Sequence, residues 1–413
     1  MKKILAIALA LVMLCSLSVV AFADDTVSMK LAVWTSNEDQ LKLLGSFVDE
    51  FAAKKGISID YEFESIPYAD FTTKLLLELQ GSDAPDVYWV TETSAPAFIA
   101  SGNLAVLNDA MAEYEPADFA EGAMQLWKKG DDVYAIPFST SPFVLLYNAD
   151  LFEQAGAKTP EEYIAEGNWT WESFREVCKQ IKDATGVWGF QTVDGAGFTT
   201  SVMQNLLPII RAYGGDAWDS EGNVMIDTDE SVAAVQLFHD MVYVDQSVVP
   251  PGDESSFYTG AAAMTVGQIS RVSNLDEVEW NWSMVTLPGG SPVIGQAAIG
   301  AFSGSKNGEL AAELAAYMTN KECVARIAGI WPPARQSVLD SDEFLTSNSR
   351  ISAEQMKDAV AASIETGRVL PAHEMYPQIS VESQIAYDKL WNADADVAAI
   401  MHQVGDIYRS YVG

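Results

Sequence analysis

The chain has 413 residues, enough for more than one domain, and 49% of them are hydrophobic, as in a protein that folds around a buried core. Acidic residues outnumber basic ones by 58 to 24, which gives a formal net charge of −34. A field of this sign repels nucleic acid and anionic membrane surfaces, so both are excluded as partners.

Residues 1–23 have the pattern of a secretory signal peptide. Two lysines precede an apolar run, and the small-x-small sequence Ala21, Phe22, Ala23 stands directly before two aspartates. We therefore expect export, with cleavage after Ala23, to the periplasm or the extracellular face of the cell envelope. Lipid attachment at Cys15 is disfavoured because a leucine, not a small residue, precedes it.

The first part of the mature chain alternates between strand and helix periodicity. Apolar residues alternate over 29–33, recur every three or four residues over 38–55, and alternate again over 57–63. A helical run over 68–80 then leads to an apolar strand at 85–90. This order predicts a parallel sheet with crossover helices.

Ligands bind at the carboxyl ends of the strands in such a sheet. The segments 34–37 and 91–94 follow the first and third predicted strands. We therefore expect them at one edge of the sheet.

The second part of the chain continues the mixture of strands and helices. The predicted strands are 132–137, 143–148, 187–192 and 280–284, and the predicted helices are 151–155, 170–184, 229–244 and much of 308–413. Cys178 and Cys323 fall in helical patterns and are interpreted as buried thiols, with a disulfide between them as the alternative.

Signatures of enzymes and metal sites are nearly absent. The segment 303–306 has the Ser-x-x-Lys spacing but lacks the partner motifs that such enzymes carry. His239, His373 and His402 lie far apart, without a cysteine or histidine at ligand spacing. We therefore predict no catalytic residue, no metal and no cofactor.

Aromatic residues are numerous, with 11 tryptophans and 15 tyrosines. Several of them fall in predicted loops: Trp34, Trp169, Tyr258, Trp331 and Tyr376. An aromatic ring stacks on the C–H face of a sugar or on a cation. Each of these rings could equally anchor its own loop, so both interpretations stand at this point.

Several short motifs follow one another along the chain, and their order indicates a relationship to a known family. They are GSDAPDVYW at 81–89, FIASGNL at 98–104, VYAIPF at 133–138, LYNADLF at 146–152 and PPAR at 332–335. Together the motifs resemble family 1 extracellular solute-binding proteins of ABC importers, the group that includes maltose- and oligosaccharide-binding proteins. The resemblance spans nearly the whole mature chain.

The resemblance implies an α/β fold of the type II periplasmic-binding-protein class. Two lobes, each with a mainly parallel central sheet flanked by helices, would be joined by crossings near 139–142, near 293–297 and around 324. The lobes it implies are 24–141 plus 296–323 for the first and 142–295 plus 324–413 for the second.

The resemblance and the loop aromatics also imply a ligand site in the cleft between the lobes. The expected ligand-binding residues are Trp34, Thr35, Glu92, Thr93, Phe138, Ser141, Gly214, Gly215, Gln268, Arg271, Trp331, Arg335 and Tyr376. In this interpretation Trp34 and Trp331 stack on the ligand and Glu92 accepts two hydrogen bonds from neighbouring hydroxyls. Gln268 and Arg271 would donate hydrogen bonds to ligand oxygens.

The function implied is capture of a mono- or oligosaccharide by hinge closure and its delivery to the membrane permease of an ABC transporter. A binder of another solute, such as a polyamine or an organic acid, is the alternative, and a secreted carbohydrate-active enzyme is less favoured. We expect a monomer whose partners are the small-molecule ligand and the permease.

Overall fold

The computed structural model describes residues 26–119, 121–219 and 221–412. The predicted signal peptide, 1–23, and its cleavage position after Ala23 lie outside the described residues. Within these ranges, no helix is both long and apolar enough to cross a membrane.

Strands and helices alternate along most of the chain. The strands are β1 Val27–Val33, β2 Ile59–Ser65, β3 Val87–Thr91, β4 Lys128–Lys129, β5 Asp132–Val133, β6 Ala135–Pro142, β7 Val144–Asn148, β8 Met264–Gly267, β9 Trp282–Val285, β10 Val293–Ala301 and β11 Arg368–Val369. The helices are α1 Glu38–Lys55, α2 Tyr68–Glu78, α3 Ala95–Ser101, α4 Asn108–Met111, α5 Glu121–Met124, α6 Ala149–Ala155, α7 Pro160–Ala165, α8 Trp171–Thr185, α9 Val202–Ala212, α10 Asp229–Tyr243, α11 Gly308–Met318, α12 Lys321–Ile327, α13 Gln336–Leu339, α14 Asp342–Leu345, α15 Ala353–Gln355, α16 Ala362–Thr366, α17 Tyr376–Tyr387 and α18 Val397–Val412.

Helix α1 shows why the sequence forms these elements where it does. The Asn37 side chain accepts hydrogen bonds from the backbone N–H groups of Asp39 and Gln40, both at 3.1 Å, and so caps the first turn. Gly56 ends the helix with φ of 68°, a conformation that glycine adopts without a steric cost. The two caps therefore set the bounds of the helix, which begins at Glu38, a few residues after β1 ends at Val33.

The larger sheet is mixed. Strand β1 pairs in parallel with β2 and β3, as predicted, and β11 pairs in parallel with β10. Strand β10 runs antiparallel to both β3 and β6. The reversal arises because β10 enters this sheet from the second lobe, at the end where β3 leaves it. Helix α11 covers β10 and β3, and α1 lies against α11.

The smaller sheet consists of β7 between β8 and β9, both antiparallel to it. This arrangement corrects the expectation of a mainly parallel sheet in the second lobe. The strand predicted at 187–192 forms isolated parallel bridges instead, from Trp188 to Ala262 and from Gln191 to Thr265.

The buried apolar side chains form two cores, and the first of them extends into the smaller sheet at Leu146 and Met284. Phe47, Trp89 and Leu314 belong to one core, which includes β1, β3 and the buried face of α11. Phe174 and Leu206 belong to the other, which includes α8, α9 and α18.

The two cysteines of the described chain are buried free thiols. Cys178 lies in the second core and Cys323 in the first, so the pattern that predicted buried thiols is confirmed.

Two of the predicted crossings lie side by side. Strand β6 leads into β7 through Phe143, whose backbone N–H donates to the carbonyl of Val293 at 2.9 Å. Val293 begins β10, which pairs with β6 along its length. The strands β6 and β10 therefore form a two-stranded floor between the lobes.

The segment that follows residue 323 contacts the first lobe. The Arg326 guanidinium donates to the Glu50 carboxylate at 2.8 Å, and Phe344 is fully buried in the first core. Arg350 pairs with Asp276, which lies in the part of the chain predicted for the second lobe. We therefore propose that the third crossing lies between residues 345 and 350, later than the predicted position around 324.

Candidate functional site

A cavity of 460 Å³ lies between the lobes, above the floor formed by β6 and β10. The first lobe supplies the carboxyl ends of β1 and β3 and the first turn of α2, which is where a sheet of this kind presents a ligand site. The second lobe supplies the turn after β8 and the start of α9. We call this cavity the front cleft.

Four aromatic side chains line the front cleft: Trp34, Tyr68, Phe143 and Trp331. Trp34 meets Tyr68 edge to face with ring centroids 5.7 Å apart, and meets Trp89 at 4.6 Å. Trp89 and Phe138 lie behind Trp331, at 5.3 and 6.0 Å. Because Trp34, Tyr68 and Trp331 each contact other rings, this wall is formed before any ligand arrives.

Glu92 is the only carboxylate among the described residues that line the front cleft, and its side chain is 2% exposed. Its Oε2 accepts a hydrogen bond from the backbone N–H of Gln296 at 3.1 Å, while Oε1 is buried without a partner. Burial raises the pKa of Glu92 to about 8, although backbone hydrogen bonds from Glu92 and Gln296 act in the opposite direction.

This environment changes the role expected for Glu92. One oxygen is already occupied, so the carboxyl group offers one oxygen rather than the two that a bidentate contact requires. With a pKa of about 8, the group is mostly protonated at neutral pH and can donate its own hydrogen bond to a ligand oxygen.

Gln268 connects the second lobe to the floor of the cleft. Its Nε2 donates to the backbone carbonyl of Ser141 at 2.9 Å. A Cβ atom at Gly295 would lie 2.8 Å from that Nε2, so glycine is what allows the amide to rest on the floor strands. The Ser141 hydroxyl contacts the hydroxyl of Ser139 at 2.8 Å.

Uncharged hydrogen-bonding groups dominate the cleft lining. Among the described lining residues, Glu92 and Arg271 are the only charged ones. The hydroxyl and amide side chains that line it are Thr35, Ser36, Asn37, Gln40, Thr91, Ser139, Ser141, Ser201, Gln204, Gln268, Ser270, Ser273, Asn274 and Gln296. Their donors and acceptors, next to aromatic faces, match a neutral ligand rich in hydroxyl groups.

The structure brings more than half of the predicted site residues together. Those that line the front cleft are Trp34, Thr35, Glu92, Ser141, Gln268, Arg271 and Trp331. Three others lie just behind it. The Thr93 hydroxyl is 3.2 Å from that of Thr91, and Phe138 supports the aromatic wall. Tyr376 is buried in the second core, where burial and then the charges of Tyr408 and Glu92 raise its pKa.

The remaining three predicted residues have other roles. The Arg335 side chain is buried in the first lobe, where it donates to the carbonyls of Thr319 at 2.7 Å and Tyr114 at 2.6 Å. Gly214 has φ of 98° in the turn after α9, and a Cβ at Gly215 would lie 2.1 Å from the Ser231 hydroxyl. Arg335 stabilises the fold, and the two glycines allow a turn and a close helix contact, so we do not assign them to the ligand.

Sequence reasoning missed Tyr68, Gln204 and Gln296 as lining residues. Tyr68 begins α2 directly after β2, so the rule about carboxyl ends of strands, applied to β2 as well, would have found it. Gln204 lies within α9 and Gln296 within β10, where sequence gives no comparable signal.

Metal ligands are not gathered anywhere in the part of the chain that the structure describes. No group of three or more histidine, cysteine, aspartate or glutamate side chains is placed there to hold a metal ion.

Known proteins of similar sequence and structure are binding proteins. An arabinooligosaccharide-binding protein of Halalkalibacterium halodurans is 29% identical over 199 residues, which cover 46% of this chain and 41% of that protein. The chain spans about half the length of the curated relatives it matches.

Two solved structures share the fold over nearly the whole chain. An ABC substrate-binding protein from Listeria monocytogenes in complex with cycloalternan superposes with a TM-score of 0.81, at 22% identity, covering 94% of this chain and 99% of that one. UgpB from Mycobacterium tuberculosis in complex with glycerophosphocholine superposes with a TM-score of 0.78, at 17% identity, covering 94% and 98%. The predicted two-lobed α/β fold is thereby confirmed.

The family itself follows from a match to a family model. The model described as "Bacterial extracellular solute-binding protein" matches residues 46–351, about three quarters of the chain. This agrees with the resemblance found in the motifs, and the chain belongs to the bacterial extracellular solute-binding protein family.

Proposed function

We propose that this protein captures a carbohydrate, a mono- or oligosaccharide, in the front cleft and delivers it to the permease of an ABC transporter. One observation carries the proposal: a cleft between two lobes that combines four aromatic side chains with a lining of neutral hydroxyl and amide groups. The named relatives that bind arabinooligosaccharide and cycloalternan support the same class of ligand.

The alternatives fit this lining less well. A polyamine needs several carboxylates, whereas the described lining contributes only Glu92, which is mostly protonated at neutral pH. An organic acid needs more positive charge than Arg271 supplies. Glycoside hydrolysis needs a pair of carboxyl groups, so the single carboxyl favours binding over catalysis.

Capture would proceed by closure of the lobes. In the lobe division that we propose, Trp34, Tyr68 and Trp331 lie in the first lobe, and Gln204 and Arg271 lie in the second. A ligand that contacts both sides favours the closed arrangement because it binds that arrangement more tightly. The closed shape is then what the permease would recognise. Export with cleavage after Ala23, and action as a monomer, belong to this proposal.

The test is calorimetric titration of the chain from Asp24 onward with arabino- and malto-oligosaccharides and glucose, with putrescine and citrate as the other two solute classes. A saturable response to one or more carbohydrates supports the proposal. Responses only to putrescine or citrate would keep the clamp and overturn the ligand class. Turnover of an oligosaccharide would overturn the binding assignment.

A pair of variants on one helix locates the ligand. Tyr68 is half exposed at the cleft, and Leu77, on the same helix, is also exposed but does not line it. Tyr68→Ala should weaken carbohydrate binding about tenfold through the lost stacking surface, and Leu77→Ala should leave the affinity unchanged. Equal effects of the two substitutions would place the ligand elsewhere.

A further inference from the structure

A second cavity, of 510 Å³, lies on the opposite side of the floor strands from the front cleft. Side chains alternate between the two faces of a strand. Ser139 and Ser141 of β6 line the front cleft, and Thr140 between them lines the second cavity. We call this second cavity the rear cavity.

The rear cavity has walls from both lobes and from the floor. Leu126 belongs to the first lobe and Trp218 to the second, and both are partly buried. Ile294 and Val369, which pair in register, supply apolar surface from β10 and β11. The cavity is therefore a formed space at the junction of the lobes.

Two buried oxygens of the rear cavity have no hydrogen-bond partner. They are Oγ1 of Thr140 and Oε1 of Gln296, on side chains that are 6% exposed, and Gln296 lines both cavities. Thr140 and Gln296 are direct partners across β6 and β10, so their side chains lie next to each other on the same face. An unpaired buried polar group is costly, and the Gln296 oxygen, which can only accept, indicates that a molecule with a hydrogen-bond donor belongs there. The Thr140 hydroxyl beside it can donate or accept.

The charges beside these oxygens restrict the donor. The Arg211 guanidinium donates to the Asp216 carboxylate at 3.1 Å and to the backbone carbonyl of Arg368 at 2.9 Å. Arg368 itself pairs with Asp216 at 2.9 Å. The cluster holds two positive charges and one negative charge, which disfavours a cationic donor such as an amine.

An anion cannot satisfy the Gln296 oxygen, because that oxygen accepts but does not donate. Neutral hydroxyl groups are the donors that remain. Their carbon skeleton can rest on Trp218 and on the apolar walls. We propose that the rear cavity is a second binding site for a small neutral polyol or monosaccharide, distinct from the front cleft and independent of the function proposed for it.

D-sorbitol and D-glucose are suitable probes, titrated by calorimetry into the native chain and three variants. Thr140→Val keeps the shape and removes the hydroxyl, so it should weaken the rear binding step about tenfold. Ala372→Phe fills the cavity from a partly buried position in its lining and should abolish the step. Tyr68→Ala alters only the front cleft and should leave the step intact.

Folding is checked by the melting temperature of each variant. Thr140→Val removes a hydroxyl that makes no hydrogen bond, so its melting temperature should equal or exceed that of the native chain. If one substitution prevents folding, the other still tests the site.

Three results would overturn the proposal. They are the absence of a saturable step with either probe, a step that Tyr68→Ala removes while Thr140→Val does not, and crystals soaked in D-sorbitol that hold only ordered water in the rear cavity. Sorbitol density against Thr140 and Gln296 would support it. These outcomes do not depend on whether carbohydrates bind in the front cleft. Binding in the rear cavity is measured by comparing the native chain with Thr140→Val and Ala372→Phe, which alter the rear cavity.

Discussion

Replacing Glu92 with glutamine tests the electrostatics of the front cleft directly. Burial raises the pKa of Glu92 to about 8 in the folded protein, from an ordinary value near 4.5. Between these values the folded state holds a proton that the unfolded state releases. Stability from this group is therefore fully present below about pH 4.5 and is lost as the pH rises through about 8.

The size of the effect follows from the displacement of the pKa. Each pKa unit corresponds to about 1.4 kcal/mol, so the free energy of unfolding should fall by on the order of 3 kcal/mol between about pH 5 and about pH 8 through Glu92 alone. Glu92→Gln resembles the protonated acid and lacks this loss. The variant should match the native chain near pH 5 and exceed it by about that amount near pH 8.

Urea unfolding followed by tryptophan fluorescence, on the empty protein at several pH values, measures the difference. Subtracting the native curve from the variant curve cancels the titration of all other groups. Glu62→Gln, at an exposed carboxyl in β2 of the same lobe, is the matched control for replacing a carboxyl group by an amide. If the free energies of unfolding of the native chain and Glu92→Gln differ by the same amount from pH 5 to pH 8, the conclusion that Glu92 is protonated in the folded protein is wrong.

Three further substitutions, the first with its own control, test which residues act on binding, on stability or on both. Gly295→Ala places a Cβ against Gln268 Nε2, so it should weaken carbohydrate binding about tenfold in calorimetry with little change in melting temperature. The control is Gly308→Ala, whose Cβ would lie in open space and which should change neither the affinity nor the melting temperature. Arg335→Met removes a buried guanidinium and should lower the free energy of unfolding by about 3 kcal/mol in urea while the ligand affinity of the folded fraction stays native. Trp34→Ala should lower both affinity and melting temperature, because the ring contacts neighbouring aromatic rings as well as the cleft; loss of affinity alone would contradict the packing.

Sequence periodicity predicted the first lobe well because its elements carry local signals. Strand β1 is half buried and alternates, α1 has both an asparagine cap and a glycine end, and β3 is fully buried. The direction of β10 could not be predicted in this way. Its pairing with β3 and β6 depends on where the chain returns from the second lobe, which is a long-range property.

Site prediction succeeded where a residue directly follows a strand. Trp34 and Glu92 do so, and both line the front cleft. It failed for Arg335, which is four residues from Trp331 in sequence but turns into the first-lobe core, where main-chain carbonyls occupy its donors. Proximity in sequence to a lining residue was no guide there, because the partners of Arg335 come from Tyr114 and Thr319, which are distant in sequence.

The net charge of the protein and the character of its cleft are set by different residues. The chain carries −34 overall, yet the described lining of the front cleft has one acid and one arginine. Burial removes most of the charge of that acid at neutral pH. The ligand therefore meets a site that is close to neutral, inside a strongly acidic protein. A lining of this kind fits the uncharged solute of the proposed function, and the negative field of the whole chain repels other anions.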